Sequence, residues 1–120
     1  MSADATPVSY NRDAEMSVLG AMLLDKESIG TAQSVVQAED FYDDNHRLIF
    51  EAIVNMDGRR IIADLVTLRE ELARHAQLER IGGQAYLIEL MDVLPSAANI
   101  EHYARIVREH AIRRRLAAAA

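Results

Sequence analysis

The chain has 120 residues, half of them hydrophobic, with 19 acidic and 13 basic side chains and a net charge of −6. That length supports one domain with a modest core, and the lack of cysteine excludes both a disulfide framework and a thiolate metal site. No run approaches the ~18 apolar residues of a membrane span, and Met1 to Tyr10 has no basic stretch followed by an apolar core, so a soluble intracellular protein is expected.

Met1 to Tyr10 is polar, carries Pro7, and reads as a disordered lead-in. Asn11 then caps a first helix, with Asp13 and Glu15 in the turn where negative charge suits the helix dipole and Glu15, Leu19, Met22 and Leu23 on its inner side. Gly20 lets another backbone approach closely. Asp25 caps a shorter second helix through Val36, and Glu39-Asp40-Phe41-Tyr42 is a connecting turn whose Phe41 belongs in the core. A third helix spans about Asp44 to Asp57, with Leu48, Ile49, Ala52, Ile53 and Met56 at helical spacing and Gly58 as its stop. Asp64 caps a fourth, running to about His75, with Leu65, Leu68 and Leu72 inside.

From Ile81 the pattern predicts a helical hairpin. Gly82-Gly83 breaks the preceding segment, and Tyr86, Leu87, Leu90, Met91 and Leu94 line one side of a helix that Pro95 must end. Ser96 then caps a long helix to Leu116 without internal Gly or Pro, whose apolar stripe is Ile100, Tyr103, Ala104, Val107 and Ala111. The expected architecture is all-α with about six helices: a compact bundle over 11–80 and, in the same domain, a hairpin over 81–116. Ala117 to Ala120 continue a helix without a stop signal, as at a truncated helix end, or stand in for unread side chains.

Chemistry is sparse. The single lysine, Lys26, follows no glycine-rich loop, which excludes a phosphate-cradling P-loop. Glu39, Asp40, Asp43 and Asp44 beside His46 are the one gathering of hard-metal ligands, but acids just ahead of a helix ordinarily cap it. His46, His75, His102 and His110 lack paired zinc spacing and read as surface or boundary residues, and no serine sits in a nucleophile elbow. Arg113-Arg114-Arg115 suits the negative end of a helix better than a DNA-facing patch, since three successive residues point three ways. Residues 1–58 hold three basic against eleven acidic side chains and residues 59–120 ten against eight, so the front is acidic and a poor stand-alone binder of nucleic acid. No catalytic, cofactor or metal residue is assigned.

One set of residues has no place in the apolar stripes. Ile88, Val93, Ile106, Ile112 and Leu116 fall outside or at the edge of them, which suggests a second surface to bury and makes them candidates for self-association. Scattered exposed aliphatics are also ordinary on any surface.

The phrases DAEMSVLGAMLLD at Asp13 to Asp25, EDFYDDNHRLIFEAI at Glu39 to Ile53, DLVTLREEL at Asp64 to Leu72, and IGGQAYLIEL with LPSAANIEHYARIVRE at Ile81 to Glu109 closely resemble the N-terminal domain of bacterial DnaB-type replicative DNA helicases. The likeness covers nearly all of residues 11 to 116. Met16 stands where the family usually has Gln, and Ile62-Ala63-Asp64 where it often has Pro-Ile-Asp. The resemblance implies a helical collar that dimerises through its hairpin, closes one tier of a hexameric ring, and contacts primase and in some bacteria a helicase loader. It further implies a parent motor domain using ATP and Mg²⁺, single-stranded DNA passing through the ring, and a place at replication forks in the bacterial cytoplasm. The alternatives are a metal enzyme using Glu39 to Asp44, a DNA-binding regulator with its last helix in a groove, and an adaptor or primase domain of similar architecture.

Overall fold

The helix starts are set by side chains that accept the first free amides. Asn11 Oδ1 accepts from Ala14 N at 2.9 Å, Asp25 Oδ1 from Glu27 N at 3.0 Å, Asp43 Oδ1 from Asn45 N at 2.7 Å and Asp64 Oδ1 from Thr67 N at 2.9 Å. At Asp64 the arrangement is reciprocal, since its own N–H donates to Thr67 Oγ1 at 2.9 Å. The computed structural model describes residues 8–93 and 97–119, which form α1 (Arg12–Leu24), α2 (Lys26–Gln33), α3 (Asp44–Gly58), α4 (Leu65–Arg74), α5 (Gly83–Asp92) and α6 (Ile100–Ala119), with short 3-10 turns at Ala38–Asp40 and Ala97–Asn99. No strand occurs among the described residues. The class is all-α with six helices.

Helix α1 is the axle. Every residue from Ala14 to Leu23 is buried, because α2, α3, α5 and α6 all pack on it. The four inner positions expected of it are therefore too few; a helix covered on every side lies at the centre of a fold rather than on its surface. Around it Phe41, Ile49, Ile53, Leu68, Leu72 and Leu87 close the core, where truncating a fully enclosed Leu to Ala costs about 2–5 kcal/mol.

The expected hairpin is not a packing unit. Among the described residues the principal neighbours of α5 are α1 and α4, whereas α6 lies along α1 and α2. Both helices present the stripes their spacing predicts, with Leu87 and Leu90 buried on α5 and Ile100, Ala104, Val107 and Ala111 buried on α6. Those stripes meet α1 instead of each other. The expected turn at Leu94-Pro95-Ser96, with Ser96 as cap, lies outside the described residues.

Two helix ends depart from glycine punctuation. Gly58 is the last residue of α3 rather than the residue past its end, and the left-handed position falls at Arg60 (φ 64°), with Arg60 N donating to Asp57 O at 3.0 Å and Ile61 N to Met56 O at 2.8 Å. Helix α4 ends identically at Ala76 (φ 58°), where Ala76 N reaches Ala73 O and Gln77 N reaches Leu72 O. Both are Schellman ends with a side chain at the strained position.

Of the expected lead-in, residues 1–7 lie outside the described residues, and residues 8–10 run irregularly beside α6. Ser9 Oγ is 2.6 Å from His110 Nδ1, and Arg114 donates to Ser9 O at 2.8 Å.

Candidate functional site

Three polar side chains form a chain through the apolar interior. Glu15 on α1 is enclosed, and its carboxylate accepts from Tyr42 N at 2.7 Å, from Asp43 N at 3.3 Å and from His46 Nδ1 at 2.7 Å. His46 is 0% exposed, which corrects its expected place at a surface or boundary. Its other ring nitrogen, Nε2, lies 2.5 Å from Tyr86 Oη on α5. Burial pushes the Tyr86 phenol up to about 12 against the nearby Arg12 cation, with Asp43, Glu89 and Glu15 adding to the rise. The Glu15 carboxylate accepts from Nδ1–H, and the Tyr86 hydroxyl closes the chain at Nε2. One carboxylate thus joins α1, the start of α3 and α5. The signal for this was legible in the spacing, since His46 precedes Ile49, Phe50 and Ile53 at helical steps and so shares their inward face.

Of the acidic group Glu39 to Asp44, the three aspartates are committed to structure, while Glu39 is exposed. Asp40, 2% exposed, accepts from Gln37 N at 2.8 Å and from Arg115; Asp43 caps α3; and Asp44 pairs with Arg47 at 3.2 Å. Among the described residues no three His, Asp or Glu side chains gather in a way that would hold a metal ion. The arginine run is likewise divided. Arg114 donates to Ser9 O and to Asp40 O at 2.7 Å and lies 5.4 Å over the Tyr42 ring, whose other neighbour is the stacked ring of Tyr10 at 4.4 Å. Arg115 reaches Asp40, while Arg113 stays exposed.

The five candidate association residues separate into two groups. Val93 and Ile106 are partly buried against the core. Ile88, Ile112 and Leu116 face solvent, at 46%, 40% and 67% exposure. Ile112 borders an open groove between α2 and α6 that also involves Val35, Arg105 and Arg108. Beyond Ala111 no described residue of the helix is buried, and Leu116 is exposed. Ile88 stands apart on α5, where it shares a groove with the exposed Val66 of α4, which sequence reasoning did not single out. The available signal was the place of Val66 on α4, off the side that carries Leu65, Leu68 and Leu72.

Comparison with known proteins gives a consistent picture. Residues 8–109 match the family described as DnaB-like helicase N terminal domain. The chain is 48% identical over 104 residues to the replicative DNA helicase DnaB of Geobacillus stearothermophilus, covering 87% of this chain and 23% of that protein. Against the replicative DNA helicase DnaB of Mycobacterium leprae identity is 46% over 103 residues, covering 86% of this chain and 17% of that protein. The chain therefore spans about a quarter or less of the length of these relatives. Among solved structures, the crystal structure of the N-terminal domain of DnaB helicase from Mycobacterium tuberculosis superposes with a TM-score of 0.92 at 42% identity, over 94% of this chain and 82% of that one.

Proposed function

Because this chain belongs to the family of DnaB-like helicase N-terminal domains, we propose that it is the collar of a ring-shaped replicative helicase. In this reading it joins copies of itself into dimers and a hexameric tier, and it receives primase and, in some bacteria, a helicase loader at the fork. ATP and Mg²⁺ serve the parent's motor domain, single-stranded DNA threads the ring, and the assembly works in the bacterial cytoplasm at the nucleoid. No helix among the described residues is long and apolar enough to cross a membrane.

The observation that carries the reading is the superposition on a DnaB N-terminal domain across 94% of the chain. Two features of this molecule support it. Its buried ionisable groups serve caps and ion pairs, as the Glu15 and Asp40 contacts illustrate. Part of its exposed apolar surface lies on α6, where Ile112 and Leu116, four residues apart, sit outside the stripe that packs on α1. An exposed aliphatic edge on a long helix is suited to a neighbouring copy.

Sedimentation velocity at rising concentration tests this. Self-association is expected, weakened by Ile112→Glu and Leu116→Glu; a chain that stays monomeric at every concentration and ignores both substitutions overturns it. Val93 and Ile106 are unsuited to the test, because their partial burial makes a charge there a folding lesion. Co-sedimentation with the primase of the same organism tests the docking role.

A further inference from the structure

The closing part of α6 lacks the apolar hold of the rest. Its buried positions are Ile100, Ala104, Val107 and Ala111, and none follows among the described residues, although the helix runs on to Ala119. At the rise of an α-helix, roughly 12 Å of it extends past the last buried side chain. A segment without apolar burial is ordinarily loose.

The polar contacts that reach this part come from two short segments, residues 8–10 and residues 40–42. Ser9 Oγ is 2.6 Å from His110 Nδ1, and Ser9 O accepts from Arg114 at 2.8 Å. The same guanidinium donates to Asp40 O at 2.7 Å, and Arg115 reaches the Asp40 carboxylate, which also accepts from Gln37 N. Arg114 lies over the Tyr42 ring, and Tyr10 stacks on that ring with planes 18° apart. Val8 and Tyr10 are 50% and 47% exposed, so residues 8–10 run over the surface and not through the core. Their far end is fixed, because the next residue, Asn11, caps the central helix α1.

Arg114 is where these contacts cross. Desolvation lowers its pKa from the ordinary value, opposed by Glu15, while Arg47 and Arg115 add to the fall. A guanidinium withdrawn from water beside two like charges needs its carbonyl acceptors, and one of the two it reaches belongs to Ser9. The apolar edge of the helix is on the other side. On a helical wheel Ile112 and Leu116 lie about 160° from Arg114 in either direction, so residues 8–10 hold α6 without covering that edge.

We propose that residues 8–10 are a strap that fixes the closing part of α6 on the body and so sets how the Ile112 and Leu116 edge is presented. With the strap in place the edge is ordered before a neighbour arrives; with the strap displaced, the ordering must accompany association and weakens it. The strap is a control point in the N-terminal segment, outside the edge it governs. The fixing of α6 stands on the contacts above, and only its effect on association rests on the self-association reading.

The chain has no cysteine, so Glu51→Cys on α3 and Ala118→Cys near the tip of α6, both at exposed positions, take spin labels without competition. Double electron–electron resonance on the full chain, diluted with unlabelled protein so that only distances within one molecule register, reads the spread between the labels. One narrow distance is expected. It should broaden about two-fold or more when Ser9→Ala and Tyr10→Ala are combined, and also with Arg114→Gln, but not with Arg113→Gln, whose side chain is exposed. Circular dichroism melting confirms that these surface variants stay folded. A spread left unchanged by the Ser9 and Tyr10 pair, or broadened equally by Arg113→Gln, overturns the strap. Sedimentation velocity on the unlabelled proteins keeps the two readings apart: the Ser9 and Tyr10 pair is expected to associate about ten-fold more weakly, with Ile112 and Leu116 intact. An unsubstituted chain that stays monomeric defeats the self-association reading and leaves the strap to be judged on its distances, whereas an associating chain indifferent to the pair overturns the strap's control of the edge.

Discussion

Glu15 Oε1 lies 2.7 Å from His46 Nδ1, with both side chains withdrawn from solvent. The same carboxylate also holds the Tyr42 and Asp43 amides, so one side chain closes the start of α3 onto α1. Removing it leaves a buried imidazole and two amides without acceptors. Glu15→Ala is expected to cost about 3 kcal/mol in urea denaturation, and Glu15→Gln, which keeps an oxygen acceptor, less. A loss below about 1 kcal/mol for the alanine variant would show that water replaces the carboxylate with ease.

Tyr86 supplies a spectroscopic counterpart. Burial, with Arg12 opposing it, moves this phenol from 10.0 to about 12. A raised folded value means that the folded state holds the proton more tightly, so the contribution to stability is complete below pH 10 and disappears as pH rises toward 12. Alkaline titration at 295 nm should contain a phenolate step near 12 that is missing from Tyr86→Phe. If the difference between wild type and variant falls near 10, the phenol is solvated and the chain to His46 is open.

Glu71 behaves in the opposite sense. Burial acts to raise its carboxyl, but the Arg59 hydrogen bond and the charges of Arg59, Arg74 and His75 prevail and hold it below the ordinary 4.5. A lowered folded value gives stability that is complete above 4.5 and lost as pH falls through the folded value. Glu71→Gln should therefore flatten the acid limb of the stability profile, measured by urea unfolding at stepped pH. An unchanged limb would place the acid sensitivity elsewhere.

Backbone conformation at the helix ends gives a prediction of opposite sign at two kinds of position. Ala76 is left-handed at φ 58°, which favours glycine, and Ala76→Gly is expected to stabilise by about 0.5–1 kcal/mol. Gly82 has φ 110°, and a Cβ there would meet Tyr86 Cβ at 2.9 Å. Gly82→Ala should destabilise by about 2 kcal/mol or more. A lowered melting temperature for Ala76→Gly would contradict the first assignment, and an unchanged or raised one for Gly82→Ala the second.

How much of this was readable beforehand depended on the range of the interaction. Asn11, Asp25 and Asp64 act within three residues of themselves, and their capping roles follow from local chemistry. The apolar stripes of α5 and α6 were likewise visible, since spacing fixes which residues share a face. Spacing does not fix what that face meets, which is why two stripes adjacent in sequence suggested a hairpin while both in fact pack on α1. The full burial of α1 was hidden because Glu15 and Ser17 look like solvent-facing residues until their surroundings are known. Among the association residues, Ile106 and Ile112 carry the same side chain; only the neighbouring helices determine that the first is partly covered and the second open.

The distal part of α6 is held at two points of the body. Arg114 grips the carbonyls of Ser9 and Asp40, and Arg115 takes the Asp40 carboxylate. A rod clamped twice has a set bearing, as a hinged arm does not. Whatever rides on its tip inherits an angle determined by two guanidinium groups outside the hydrophobic interior, so that angle can be retuned through them while the core is left alone.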